Sequence, residues 1–115
     1  MRFHIITIFP EMFDSYLKES IIGRAVKNKL IDIKFYNPRD FIKAPKNNYK
    51  PVDDKPYGGG PGMVMKAEPM LSAAAKALAD KKAKQGKIKI ILFSTSGKKF
   101  TTTYAKQLVK KSKKT

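Results

Sequence analysis

The sequence predicts an α/β domain in which an open, mostly parallel sheet carries flanking helices. Three observations predict it. Segments rich in β-branched and aromatic residues recur at 2–9, 30–36 and 88–93, and this is strand composition. Stretches with apolar residues at helical spacing, or rich in alanine and leucine, fall between and after them. The length of 115 residues provides for one hydrophobic core and not for two.

Residues 2–9, RFHIITIF, form the first strand and stop at Pro10. Helical periodicity begins at Glu11, where Met12, Phe13, Tyr16 and Leu17 share one face. Pro10 suits a first helical turn, because the N–H it lacks would be orphaned there anyway. A second short helix covers 21–28, and the alternating segment 30–36 is the second strand, ended by Pro38. A helix over 69–84 follows from its alanine and leucine content, with Glu68 and Pro69 at its start and Gly86 closing it. Residues 88–93, IKIILF, are almost wholly apolar, as expected of a strand covered on both faces. A loop at 94–97 leads to a last helix over 103–111. The chain stops after that helix with no further strand, and three strands make a small sheet, so the architecture reads as unfinished.

Composition excludes several chemistries. The chain has no cysteine and one histidine, His4. Disulfide scaffolds, thiolate zinc sites and cysteine nucleophiles are therefore absent, and a metal cluster is not expected. His4 lies within a strand and reads as a packed or hydrogen-bonded residue rather than a ligand. No apolar run approaches the roughly 18–20 residues that span a bilayer, and the start MRFHIITIF reads as a poor secretion signal. A soluble, cytoplasmic protein is expected.

The net charge of +16 is unevenly placed. Residues 1–80 hold 13 basic and 9 acidic side chains, whereas 81–115 hold 12 lysines and no acid. Such a block repels itself unless a polyanion or an acidic surface supplies counter-charge. A solvated face that only maintains solubility is the plainer alternative. Because the block is all lysine, it would set affinity for phosphates more than sequence specificity.

Residues 37–63 show no sustained periodicity and hold five of the seven prolines and four of the seven glycines. A connection of this length inside a small domain is more often functional than idle. Its core runs Val52-Asp53-Asp54-Lys55-Pro56-Tyr57-Gly58-Gly59-Gly60-Pro61-Gly62-Met63. Glycines remove side chains where backbone must approach a ligand or take positive φ, and successive N–H groups can form a nest. A tight loop with no ligand is the alternative. The spacing does not fit a dinucleotide fingerprint. The second candidate is Phe93-Ser94-Thr95-Ser96-Gly97-Lys98, at the carboxyl end of an apolar segment, where open α/β sheets bind ligands. Lys99 occupies the place of the Ser or Thr that a phosphate-binding P-loop needs, so NTPase chemistry is rejected. Arg24 and Arg39 are two of three arginines among 22 lysines, which points to planar recognition of phosphate or carboxylate, or to simple ion pairing.

Ile8-Phe9-Pro10-Glu11-Met12-Phe13, Gly23-Arg24-Ala25, Asn37-Pro38-Arg39-Asp40-Phe41 and the glycine segment resemble, together and in order, the bacterial tRNA (guanine-N1)-methyltransferases. The resemblance runs along the whole chain but covers only about the N-terminal half of that family's length. It implies a SPOUT-type fold with a deep trefoil knot, S-adenosylmethionine as methyl donor, tRNA as substrate, methylation of the guanine 3′ of the anticodon, and a homodimer with active sites between subunits. It implies that Phe93, Ser94, Thr95, Ser96 and Gly97 form the first cofactor-binding loop. Thr95 and Ser96 depart there from the family's Leu-Ser-Pro-Gln-Gly. Gly60, Pro61 and Gly62 would line the guanine and methionine end of the site, with Asp53, Arg24 and Arg39 near tRNA or substrate.

The family's next motif, the knot loop, and the catalytic Asp and Arg would all lie past Thr115. Guanine N1 carries a proton at neutral pH, so methylation needs a base and an aligned donor. No catalytic residue is therefore assigned within this chain, the trefoil-knot portion is expected to be missing, and the 115 residues alone are expected to be inactive. Residues 1–115 read as the N-terminal part of the methyltransferase domain, with a functional loop at 37–63 and the basic segment at 81–115. DNA and membranes are not expected partners. A non-catalytic basic module that binds RNA or another protein is the alternative.

Overall fold

The computed structural model describes residues 1–43, 48–80 and 88–113, and divides the chain into two units, Met1–Ala79 and Asp80–Thr115. In the first unit the strand β1 (Arg2–Ile6) pairs in parallel with β2 (Asp32–Tyr36). The register sets Arg2 opposite Asp32 and Ile6 opposite Tyr36. A parallel pair needs a crossover, and here it is helical. Pro10–Phe13 form a 3₁₀ turn, followed by α1 (Asp14–Lys18) and α2 (Ser20–Lys27). β1 is shorter than expected because Phe9 N–H turns back to the Thr7 hydroxyl at 3.2 Å, just ahead of Pro10.

The break between α1 and α2 falls at Glu19, which is extended, and Ser20, at φ 53°. Phe13 carries the crossover onto the sheet through its contact with Phe35, ring centroids 5.3 Å apart. α2 ends where Lys29 takes φ 57°. Lys29 N–H donates to the Val26 carbonyl and Leu30 N–H to that of Ala25, both at 3.0 Å. That pair of bonds is a helix-terminating motif which glycine usually supplies.

After β2, Pro38–Phe41 form a second 3₁₀ turn, whose Asn37 carboxamide oxygen accepts from Arg39 N–H at 3.0 Å. The described residues of the segment read as aperiodic include a short strand, paired with one just beyond it. β3 (Asp53–Asp54) and β4 (Val64–Met65) form a small antiparallel hairpin that encloses the glycine loop. α3 (Ala67–Leu78) then packs against the 38–41 turn and against β1 and β2. Among the described residues the core is small: Val52, Ala73 and Ala77 are buried, as are Pro38 and Pro69. Ala73 and Ala77, four residues apart, line one helix face and allow close approach. α3 ends at Leu78, with Ala79 closing it and the charged Asp80 following, short of the expected 84. Gly86, the lysines at 81, 82, 84, 87 and 114, and Pro45 lie outside the described residues.

The second unit overturns one expectation. Residues 88–93 do not form a strand. A strand requires a partner for its backbone groups, and the described residues of this unit contain no second strand. The segment's side chains are exposed, Leu92 at 81 % and Phe93 at 80 %. The described sheet order is therefore β1-β2, with β3-β4 separate. α4 (Thr102–Lys113) is capped by Thr101, whose hydroxyl accepts from Tyr104 N–H at 3.2 Å. Phe100 packs edge-on to both Phe93 and Tyr104, and the Lys89 ammonium lies 5.7 Å from the Tyr104 ring centroid. Among the described residues no helix is long and apolar enough to cross a membrane.

Candidate functional site

The glycine hairpin is the most specifically built feature of the first unit. Its stem holds Asp53 opposite Met65 and Asp54 opposite Val64. Below the stem, Lys66 N–H donates to the carbonyl of buried Val52 at 2.7 Å. Asp54 is occupied locally, since its carboxylate accepts Lys55 N–H at 2.8 Å. The tip opens with a turn closed by Gly59 N–H on the Pro56 carbonyl at 3.2 Å. Gly58, Gly59, Gly60 and Gly62 have φ of 80°, 81°, 107° and 90°, values that L side chains rarely adopt. A Cβ at any of the four would meet nothing within 4 Å. The glycines are thus required by backbone conformation, and the space around them is open. Pro61 sits between two of them, and Tyr57 stands fully exposed at the tip.

The other first-unit residues singled out in the sequence lie on other elements. Arg39 is half-buried and its Nη1 donates to the Lys50 carbonyl at 2.9 Å, three residues before Asp53. Arg24 is exposed on α2, which packs on α1. His4 shares a hydrogen bond from Nδ1 to the Tyr36 hydroxyl at 2.9 Å, with the rings stacked 5.6 Å apart, as expected of a packed histidine. Its Nε2 is buried without a hydrogen-bond partner among the described residues.

In the second unit, residues 93–97 form a tight exposed turn. Gly97 N–H donates to the Ser94 carbonyl at 3.1 Å, Ser96 N–H to the Ser94 hydroxyl at 3.3 Å, and the two serine hydroxyls lie 3.1 Å apart. A Cβ at Gly97 would approach the Ser94 carbonyl oxygen to 3.2 Å, so the turn closes best on glycine. The exposed Phe93 ring stands beside this turn.

Sequence reasoning missed the β3–β4 pairing, which Val64 and Met65 signal only through two residues. It also missed the Lys50 carbonyl, a backbone group without any sequence signature.

Over residues 1–114 the chain matches the family described as tRNA (Guanine-1)-methyltransferase TrmD. It is 46 % identical over 112 residues to a tRNA (guanine-N(1)-)-methyltransferase of Buchnera aphidicola, covering 97 % of this chain and 44 % of the relative. It is 42 % identical to that of Pseudoalteromonas atlantica, covering 92 % and 38 %. Its structure resembles the tRNA (m1G37) methyltransferase of Aquifex aeolicus, with TM-score 0.58 and 37 % identity over 73 % of this chain and 36 % of that one. The chain spans about two fifths of the length of the curated relatives it matches. By this match along its whole described length, the chain belongs to the tRNA (guanine-1)-methyltransferase family.

Proposed function

We propose that this chain forms the N-terminal part of an enzyme that methylates N1 of guanine 37 in tRNA, with S-adenosylmethionine as donor. The observation that carries the reading is the family match over residues 1–114, the glycine hairpin included. In this reading the hairpin presents Asp53, Gly60, Pro61 and Gly62 to the substrate guanine. Open space around the four glycines leaves room for a planar base to lie against bare backbone. Arg24, exposed on α2, is available to RNA phosphate. Phe93, Ser94, Thr95, Ser96 and Gly97 would hold the cofactor, whose sulfonium supplies an electrophilic methyl group. The proton on guanine N1 must leave as the methyl arrives, and we assign no residue of this chain as its acceptor. The assembled enzyme is a cytoplasmic homodimer, and the basic segment 81–115 meets the tRNA backbone.

Methyl transfer to unmodified tRNA tests this directly. The 115-residue chain alone is expected to give none. A chimera carrying the remaining C-terminal part of the Buchnera relative is expected to methylate guanine 37. An inert chimera that nonetheless folds, or transfer by the 115 residues alone, would overturn the proposal. A basic module that only binds RNA is favoured by the lysine block alone, and it predicts tRNA binding by a chimera that never methylates.

A further inference from the structure

The hairpin that presents the glycine loop has strands of only two residues each, too short to be stable by themselves. Its position therefore depends on what its stem is fastened to. The base of the stem is closed by Lys66 N–H, which donates to the Val52 carbonyl at 2.7 Å. A bond from outside the hairpin comes from Arg39.

The turn that bears Arg39 is itself anchored. Pro38 is fully buried, Asp40 N–H donates to the Asn37 carbonyl at 3.0 Å, and Arg39 N–H donates to the Asn37 side chain at 3.0 Å. α3 packs on the same turn, with the Lys76 ammonium 5.5 Å from the Phe41 ring centroid. From this fixed base the guanidinium reaches eleven positions along the chain to the Lys50 carbonyl at 2.9 Å. Val52, two residues further, is 2 % exposed and directly precedes β3. A planar guanidinium with several donors holds a carbonyl with less loss of side-chain freedom than an ammonium.

We propose that Arg39 is a positioning residue: through the Lys50 carbonyl it fixes the stem from which Asp53 and the 58–62 loop are presented. This replaces the direct contact with tRNA or substrate that the family resemblance implies for Arg39. It rests on the methyltransferase reading only for what the loop receives. Arg39 tightens the presentation of the loop and makes no contact with the reacting atoms.

Amide hydrogen exchange by NMR on the 115-residue chain tests it. Arg39→Met keeps the aliphatic stem and removes the donors. Lys66 N–H, bonded to Val52, reports the hairpin, and Thr7 N–H, bonded to the Tyr36 carbonyl, reports the sheet. Arg39→Met is expected to speed Lys66 exchange by about tenfold while Thr7 stays within about threefold of the parent, the pattern of local opening. Arg39→Lys, which keeps a donor, is expected to restore most of the Lys66 protection. Binding of unmodified tRNA is measured in parallel across salt concentrations. A positioning residue leaves the slope of log affinity against log salt unchanged, whereas a lost phosphate contact reduces it by about 0.7–0.9. Unchanged Lys66 exchange overturns the proposal, as does equal acceleration at Thr7 or failure of Arg39→Met to fold. A reduced salt slope with intact Lys66 protection returns Arg39 to direct RNA contact. The exchange readout needs neither tRNA nor methyl donor, so it stands or falls separately from the methyltransferase reading.

Discussion

A Cβ placed on Gly23 would lie 2.5 Å from the backbone carbonyl oxygen of Lys18. Gly23 is buried on α2, and its N–H donates to the Glu19 carbonyl at 2.9 Å. The Gly23-Arg24-Ala25 segment is thereby explained at its first residue by packing of α2 over the end of α1. An ordinary helix interior would favour alanine over glycine by about 1 kcal/mol. Here that gain is opposed by overpacking, which costs about 1–3 kcal/mol and is not relieved by rotating a side chain, since the obstacle is backbone. Gly23→Ala is expected to lower the urea midpoint at unchanged slope. A midpoint equal to or above that of the parent would show that α1 and α2 separate freely.

Tyr36→Phe probes the His4 pair. The hydroxyl is the partner of His4 Nδ1, and among the described residues Nε2 is already buried without one. Removing it leaves both ring nitrogens unsatisfied, at a cost of about 1–3 kcal/mol. The double substitution His4→Leu with Tyr36→Phe is expected to cost less than the sum of the two single changes, because it removes both members of the pair together. Strictly additive unfolding free energies would show that the 2.9 Å contact carries no coupling.

The glycine loop responds to chirality rather than to size. Gly59 has φ 81° and open space around its Cβ position. Gly59→Ala is expected to cost about 1–2 kcal/mol of left-handed backbone strain. D-alanine at the same position, introduced by peptide ligation, satisfies that φ and is expected to match or exceed the parent in stability. If the L and D forms behave alike by thermal unfolding, the loop relaxes to a conformation that does not require glycine.

These positions show what the sequence carries and what it omits. β1, β2 and the crossover were legible because apolar alternation and helical spacing are local signals, and Asp32–Tyr36 falls inside the expected 30–36. Residues 88–93 misled because apolar composition reports a tendency to be covered, and a strand also needs a neighbour's backbone, which the second unit lacks among its described residues. The glycine loop was legible as backbone demand, and its four positive φ values agree with that demand. The role of Arg39 was not, since a guanidinium bonded to a main-chain carbonyl leaves no mark on the identity of residue 50.

The lysines of α4 yield the last prediction. Lys106 and Lys110 lie four residues apart on this helix, both exposed, flanking a shallow apolar strip formed by Ala105 and Val109. Side chains at this spacing project from one face, so both can meet one phosphate backbone. If they do, each neutralised phosphate contributes about 0.7–0.9 to the slope of log affinity against log salt. Lys106→Gln with Lys110→Gln is therefore expected to lower the slope for tRNA by about 1.4–1.8 while leaving any preference among RNA sequences unchanged, because phosphate contacts carry no base information. Thr101 caps the helix from outside the substituted positions, so helical content by circular dichroism should hold and separate lost contacts from a lost helix. An unchanged slope with the helix intact would make this face a solubilising surface and leave recognition of RNA to the first unit.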